Sequence, residues 1–243
     1  MLMVTRRAAE SYVASIVTRV TPKMSSGTSI EATFCFVDIA GYTALTDTHG
    51  ELAAANLVDG FCELIRTSIV PSGQLQSIAG DCAFLVFPDP LAAKDALSAL
   101  FKSVADRQDF PIVRAGLHHG PALFRGNRHF GSTVNLAARV AARASGGQIL
   151  CTKYIADALL QAGGSDIEIE HQGLISLRNL PQPVDLYEIV LSSFSREYAI
   201  DPVCKMQVDT KRAAGDLHFN RKTYWFCSLE CVERFAKRPS SYV

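Results

Sequence analysis

The chain has 243 residues, 48 % hydrophobic and 20 % charged, which suits one sizeable domain plus a small one. Lysine and arginine number 24, as do aspartate and glutamate, so the formal net charge is zero; a nucleic-acid binder would show a basic excess, and no nucleic-acid partner is expected. No apolar run approaches the roughly 18–20 residues of a membrane span, and Arg6, Arg7 and Glu10 interrupt any secretory leader, so a soluble, cytoplasmic protein without a membrane partner is expected.

In chain order, residues 4–20 place Val4, Ala8, Tyr12, Ile16 and Val20 near one helical face, a packing or dimerising element that Pro22 and Ser25-Ser26-Gly27 end. Phe34–Val37 has the length of a buried strand. It delivers Asp38, then Ile39-Ala40-Gly41-Tyr42-Thr43, a turn into a helix. Glu51–Ile69 carries Leu57, Val58, Phe61, Leu64, Ile65 and Ile69 at helical spacing and stops at Pro71-Ser72-Gly73. Leu75–Ala79 and Cys82–Phe87 flank Gly80-Asp81 as a hairpin. Pro90–Val104 is a second amphipathic helix. Ile112–His118 is a strand that Gly120-Pro121 breaks, with Ala122–Phe124 beyond the gap. Ser132–Ala144 is helical and closed by Gly146-Gly147. Gln148–Cys151 is a strand, Tyr154–Gln161 a helix, and Ile167–Glu170, Leu174–Leu177 and Asp185–Val190 are closing strands. This order, β-α-β-β-α-β with additions, predicts an α+β fold with a ferredoxin-like core.

Residues 192–200 are polar and aperiodic, a linker. Residues 201–243 are rich in cysteine and aromatics, with short elements, and form a separate unit; residues 1–29 and 30–191 make up the rest of the expected division. Of the seven cysteines, Cys35, Cys62, Cys82 and Cys151 sit in apolar segments, whereas Cys204, Cys227 and Cys231 cluster near the end. That pattern reads as a reducing compartment with buried thiols and a metal site, not a disulfide framework.

Taken alone, Asp38 is a strand-end or helix-capping acid and Asp81 a hairpin turn residue. As a pair at one end of a sheet, they could hold two hard cations, Mg²⁺ or Mn²⁺, for an in-line displacement at phosphorus. The turn and helix start at Gly41, Tyr42 and Thr43 expose backbone N–H groups, a good place to hold a phosphate. Asn135 and Arg139 are four apart and share a helix face. An Arg there is either solvated or a phosphate ligand whose planar fork stays charged. Arg178 by itself reads as a surface residue. His118 and His119 end a strand with no third ligand near and read as structural.

The block Phe34–Thr43 (FCFVDIAGYT), Gly80-Asp81 and Gly131–Arg139 (GSTVNLAAR), in this order, resemble the class III adenylate and guanylate cyclases over about residues 30–190. The resemblance implies that Asp38 and Asp81, with Ile39 beside them, bind two Mg²⁺ or Mn²⁺, and that Asn135 orients the ribose and Arg139 binds phosphate charge. It places Arg178, loosely, where a Lys contacting the terminal phosphates is common. It also implies a head-to-tail homodimer in which one subunit supplies the acids and the other the Asn/Arg pair. The implied substrate is a nucleoside triphosphate, ATP by default. Two base-reading positions depart from the family: Ser77 stands where a Lys is usual and Arg128 where an Asp is common. Ser is short and Arg is donor-only, so the adenine-reading pattern is not reproduced. Another base, GTP or a pyrimidine included, stays open, as do a catalytically weak cyclase, a nucleotide- or metal-sensing module, and a metal chaperone with a vestigial first half.

Residues 201–243, with Asp201-Pro202-Val203-Cys204 and Tyr224-Trp225-Phe226-Cys227-Ser228-Leu229-Glu230-Cys231, resemble a YHS domain, a small treble-clef-like metal-binding module; Trp225 stands where the name-giving His often lies. Cys227 and Cys231 share a helix face, Cys204 joins from the opening loop, and three thiolates suit Zn²⁺ or another thiophilic ion. Water, His218 or a partner group are the candidates for the fourth ligand. The alternative is three small buried cysteines, but a unit of about 40 residues seldom holds itself together without a metal or a partner surface.

Overall fold

The computed structural model describes residues 27–69, 72–107, 110–163, 167–191 and 198–243. The helix expected over residues 4–20 lies outside them, as do residues 192–197 of the expected linker. Strand β1 (Thr28–Ile39) is followed by helix α1 (Tyr42–Ile69), strands β2 (Gln74–Ala79) and β3 (Cys82–Phe87), helix α2 (Pro90–Asp106) and strand β4 (Val113–Arg125). Strand β5 (Arg128–Phe130), helix α3 (Ser132–Arg143), strand β6 (Ile149–Thr152), helix α4 (Lys153–Ala162) and strands β7 (Ile167–Ile175) and β8 (Val184–Leu191) complete the large unit. One eight-stranded sheet runs β2-β3-β1-β4-β6-β8-β7, with β5 on β4. Its first four members, β2-β3-β1-β4, have the ferredoxin-like order expected from the sequence.

Alternation along β1 sorts its side chains to two layers. Cys35, Val37 and Ile39 pack under α1, α2 and α4 in the main core with Phe61, Ile65, Leu97, Leu100 and Ile155. Ala32 and Phe34 face the other way, against Val134 and Ala137 of α3. Asp38 shares the α3 side of the strand, and so does Phe36, which stacks on Phe84 with centroids 4.6 Å apart; both rings stay half-buried.

Two expectations need correction, and a third element gains a break. Gly120-Pro121 does not break a strand: β4 runs through it and pairs β1 from Thr28↔Phe124 to Ile39↔Val113. Pro121 falls between the stretch paired to β6 (Ala115–Leu117) and that paired to β5 (Leu123–Arg125), where a missing N–H removes no second ladder bond. The two strands expected over 167–177 are one strand, β7, whose register shifts between His171 and Gly173, a bulge that hides the alternation. The helix expected after the Gly41 turn and the one expected over Glu51–Ile69 together form α1 (Tyr42–Ile69), which is broken between them at Gly50, where φ 82 and ψ 166 suit glycine alone. It therefore has a short first arm, residues 42–49, and a long second one.

The small unit contains β9 (Tyr198–Ile200), β10 (Gln207–Asp209), the hairpin β11 (Gly215–Phe219) and β12 (Lys222–Phe226), helix α5 (Leu229–Lys237) and a 3-10 turn at Pro239–Ser241. A knuckle, a hairpin and a helix in that order give the treble-clef-like architecture. Ser228 caps α5 by accepting from the Cys231 N–H at 3.2 Å. The small unit's core is shared with the large one: Leu45 and Ala54 of α1 are buried with Val203, Met206, Phe226 and Phe235. The Gln207 N–H also donates to Phe110 O at 3.4 Å.

Candidate functional site

Asp38 ends β1 opposite Cys82 on β3 and Arg114 on β4. Arg114 Nε donates to Asp38 Oδ2 at 2.9 Å, Nη2 reaches the same oxygen, and Nη1 donates to Ala144 O at 3.2 Å. Arg114 thereby holds the carboxylate from the α3 side. The Ile39 N–H donates to Asp81 O at 3.1 Å and brings the hairpin turn against the end of β1. Burial, and next the Asp38 charge, push the Asp81 carboxyl above its usual range. Two carboxylates that repel each other on one rim are a donor set for a hard cation. The sequence reading missed Arg114: a charged residue inside an apolar strand was its signal, but its partner is set by the β1–β4 register.

Gly41 opens the turn at φ 77, and the Leu45 N–H donates back to Gly41 O at 3.0 Å, starting α1. Tyr42 is half-buried and Thr43 exposed. On α3, Asn135 is exposed and Arg139 half-buried. Arg139, Arg143 and Arg178 line one surface pocket of about 360 Å³ with Ser176 and Asn179. Thus Arg178 comes to Arg139 from a turn distant in sequence, with Arg143 a third cation that spacing alone did not single out. Ser77 and Arg128 line a second pocket of about 570 Å³ with Gln76, Phe84 and His129. His129 Nδ1 bonds Gln76 Oε1 at 2.9 Å, and its ring meets Phe34 edge-on. Neither pocket includes Asp38 or Asp81 in its lining.

His118 and His119 are structural, as expected. His118 Nδ1 bonds Thr152 Oγ1 at 2.8 Å, and His119 Nδ1 bonds Thr33 Oγ1 at 2.9 Å while its ring stacks on Tyr154.

In the small unit Cys204, Cys227 and Cys231 converge. Their sulfurs are 3.4 Å apart for Cys204–Cys227 and 3.8 Å for Cys227–Cys231. Asp201, fully buried, organises the approach: Oδ1 accepts from the Val203 N–H at 2.8 Å and Oδ2 from the Cys227 N–H at 2.9 Å. Hydrogen bonds from the Cys204 and Cys227 thiols hold Cys231 well below the usual thiol range, making it the first thiolate of the three. His218 is not the fourth member. It sits on β11 and bonds Thr223 Oγ1 across the hairpin at 3.2 Å. The histidine at the cluster is His49 of α1, and all four ligand atoms lie within 4.8 Å of one another. Nothing near His49 in sequence signals this role, because its three companions lie at the other end of the chain.

Known proteins resemble the chain in two pieces. Residues 199–243 match the YHS domain model. A pH-sensitive adenylate cyclase of Mycobacterium tuberculosis is 30 % identical over 160 residues, 65 % of this chain and 40 % of that protein; an adenylate cyclase of Glutamicibacter nicotianae is 30 % identical over 125 residues, 51 % of this chain and 31 % of that one. The chain thus spans well under half of these curated relatives. Among solved structures, an adenylyl cyclase of P. aeruginosa superposes with a TM-score of 0.59 at 22 % identity, covering 71 % of this chain and 98 % of that one. An adenylate cyclase of Trypanosoma brucei superposes with a TM-score of 0.62 at 21 % identity, covering 74 % and 93 %. No helix among the described residues is long and apolar enough to cross a membrane.

Proposed function

We propose that this chain, which joins the class III cyclase fold to a YHS domain, is a nucleotidyl cyclase that turns a nucleoside triphosphate into its 3′,5′-cyclic monophosphate and pyrophosphate. The observation that carries the reading is the rim where Asp38 and Asp81 meet at the end of β1, next to the turn at Gly41. In this reading Asp38, Asp81 and the backbone at Ile39 hold two Mg²⁺ or Mn²⁺, which would supply positive charge at the attacking 3′-oxygen and the departing pyrophosphate. Arg114 holds and aims the Asp38 carboxylate through its two bonds to Oδ2. The N–H groups of residues 41–43, at the start of α1, receive phosphate oxygens. Arg139 and Arg178 neutralise charge that builds on the phosphates, and Asn135 orients the ribose.

The pocket lined by Arg139 and Arg178, which does not include Asn135, and the acid rim have separate linings within one chain, which favours a site completed by a second copy. Phe36 and Phe84, stacked and half-buried beside Asp38, offer that copy an apolar face. Ser77 and Arg128 share a pocket and read the base; Ser77 is short and Arg128 only donates, so the adenine-reading donor–acceptor pattern is not reproduced and another base stays open, although ATP is the default from the relatives. A cyclase unit ending near residue 191 and a YHS unit beginning at β9 (Tyr198–Ile200), which pairs β10 and so lies inside the small unit and not in the linker expected over 192–200, belong to the same proposal, as does a cytoplasmic location.

The test is product formation. Reduced protein with Mn²⁺ is given ATP, GTP, CTP or UTP, with Asp38→Ala as blank, and cyclic products are read by mass spectrometry. One cyclic product, absent from the blank, is expected. No product from any of the four, in dimeric protein, would leave a cyclase-fold binding module.

A further inference from the structure

The three cysteines of the small unit lack a fourth ligand of their own, and the large unit supplies one. His49 Nε2 lies 3.7 Å from Cys227 Sγ and 4.0 Å from Cys231 Sγ. Zinc bonds of about 2.3 Å to sulfur and 2.0–2.1 Å to nitrogen give tetrahedron edges of about 3.8 Å between two sulfurs and about 3.5 Å between sulfur and nitrogen. Four of the six observed edges, 3.4 and 3.8 Å between sulfurs and 3.7 and 4.0 Å between sulfur and nitrogen, lie within about 0.5 Å of those values, and all four ligand atoms lie within 4.8 Å of one another. Cys204 and Cys231 are buried, and His49 and Cys227 half-buried, so the set is close to closed. Three sulfurs and one imidazole select a thiophilic tetrahedral ion over Mg²⁺ or Mn²⁺.

The position of His49 gives the site a second property. It is the last residue of the first arm of α1, before the break at Gly50. The arm's other end is the Gly41 turn, and at 1.5 Å per residue the two ends are roughly 12 Å apart. The small unit grips the arm along its whole length. Leu45 is buried in the small unit's core. Arg234 of α5 donates to Asp47 O at 3.1 Å, satisfying a carbonyl at the arm's C-terminal end. At the start, Lys205, the residue after the first cysteine, lies against Gly41 so closely that a Cβ there would stand 2.5 Å from Lys205 Cγ.

We propose that His49, Cys204, Cys227 and Cys231 form one Zn²⁺-type site bridging the two units, and that the bound ion clamps residues 42–49 and with them the Gly41 turn. The clamp's consequence for nucleotide rests on reading that turn as the phosphate cradle; the site and the clamp do not. Loss of the metal frees the arm at its His49 end and loosens the turn beside Asp38. The ion is therefore a structural input to the acid rim, distinct from the two hard cations held there.

Metal-stripped, reduced full-length protein titrated with Co²⁺ should take up one equivalent at this site, with thiolate charge-transfer and tetrahedral d–d absorption that Zn²⁺ abolishes. His49→Ala should weaken that binding by roughly tenfold or more and shift the d–d bands, and His49→Cys, which restores a donor, should recover it. Unchanged affinity and spectrum in His49→Ala would overturn the bridging site, as would a Cys204–Cys227 disulfide that persists in reductant. Hydrogen exchange read without nucleotide tests the clamp: amides of residues 42–49 should gain protection with Zn²⁺ in the native protein but not in His49→Ala. Equal protection with and without Zn²⁺ would overturn the clamp. Neither readout uses cyclase activity, so a failed product assay leaves both conclusions standing or falling by themselves.

Discussion

His49 Nε2 and Cys227 Sγ are 3.7 Å apart although 178 residues separate them in the chain. That contact joins the end of a helical arm to the knuckle of a second unit, and the arm begins at the turn beside Asp38. Chemistry at the acid rim and chemistry at the thiolate cluster are thus tied through eight residues of backbone, residues 42–49.

Asp38→Asn and Asp81→Asn should each reduce cyclic nucleotide formation by about 10²–10³-fold or more, the scale seen when one charge-stabilising group is lost from a reacting centre. Far-UV circular dichroism should be unchanged. Activity within a factor of a few of native protein would place the metal-binding acids elsewhere.

Asp38→Asn and Arg139→Ala, each inactive alone, should recover activity when mixed. If the site is shared between two copies, half of the dimers in an equal mixture are mixed, and each carries one intact site. Recovery then reaches about a quarter of the native rate in a twofold-symmetric assembly. A mixture as inactive as its components would show that both groups act within one chain.

Ser77→Lys combined with Arg128→Asp should move base preference toward ATP, because the pair supplies a donor and an acceptor to the adenine edge. The check is a competition assay with equal ATP, GTP, CTP and UTP before and after substitution. An unchanged product ratio would mean that the pocket with Gln76 and His129 does not read the base.

Asp201→Asn should destabilise the protein by about 1–3 kcal/mol in chemical denaturation, since the amide keeps one accepting oxygen while its N–H₂ cannot accept the other of the two bonds that Val203 and Cys227 donate to the buried carboxylate. Co²⁺ affinity should fall with it, because the same bonds aim Cys204 and Cys227. Native stability with full metal affinity would remove Asp201 from the knuckle's support.

Burial, and then the nearby His119, lower His118 from 6.5 to about 4. The folded pKa lies below the unfolded one, so the unfolded chain binds the extra proton first. Stability from keeping this imidazole neutral is fully present above about 6.5 and is lost as pH falls through the window down to about 4. A plot of Tm against pH should drop across that window and flatten there in His118→Gln. Equal slopes in the two proteins would assign the acid sensitivity to another group.

The sequence carried much of the large unit, because its signals are local. The apolar run Phe34–Val37 has the length of a buried strand with or without its neighbours, and the spacing of Leu57, Phe61, Leu64 and Ile65 marks a helix. It failed where neighbours override local chemistry. Pro121 reads as a break, yet β1 holds β4 straight through it. Ile167–Glu170 and Leu174–Leu177 read as two strands, yet β8 carries β7 through both across a bulge.

By itself the sequence determined which acids, amides and thiols this protein owns and the order of the elements that carry them, since periodicity and motif spacing are written in consecutive residues. Only the tertiary structure decided which of them meet. Arg114 reaches Asp38 through strand register, Arg178 reaches Arg139 through the turn after β7, and His49 in place of His218 reaches the three thiols through packing of one unit on another. Contacts of that kind depend on how whole faces bury each other, and no window of neighbouring residues contains that information.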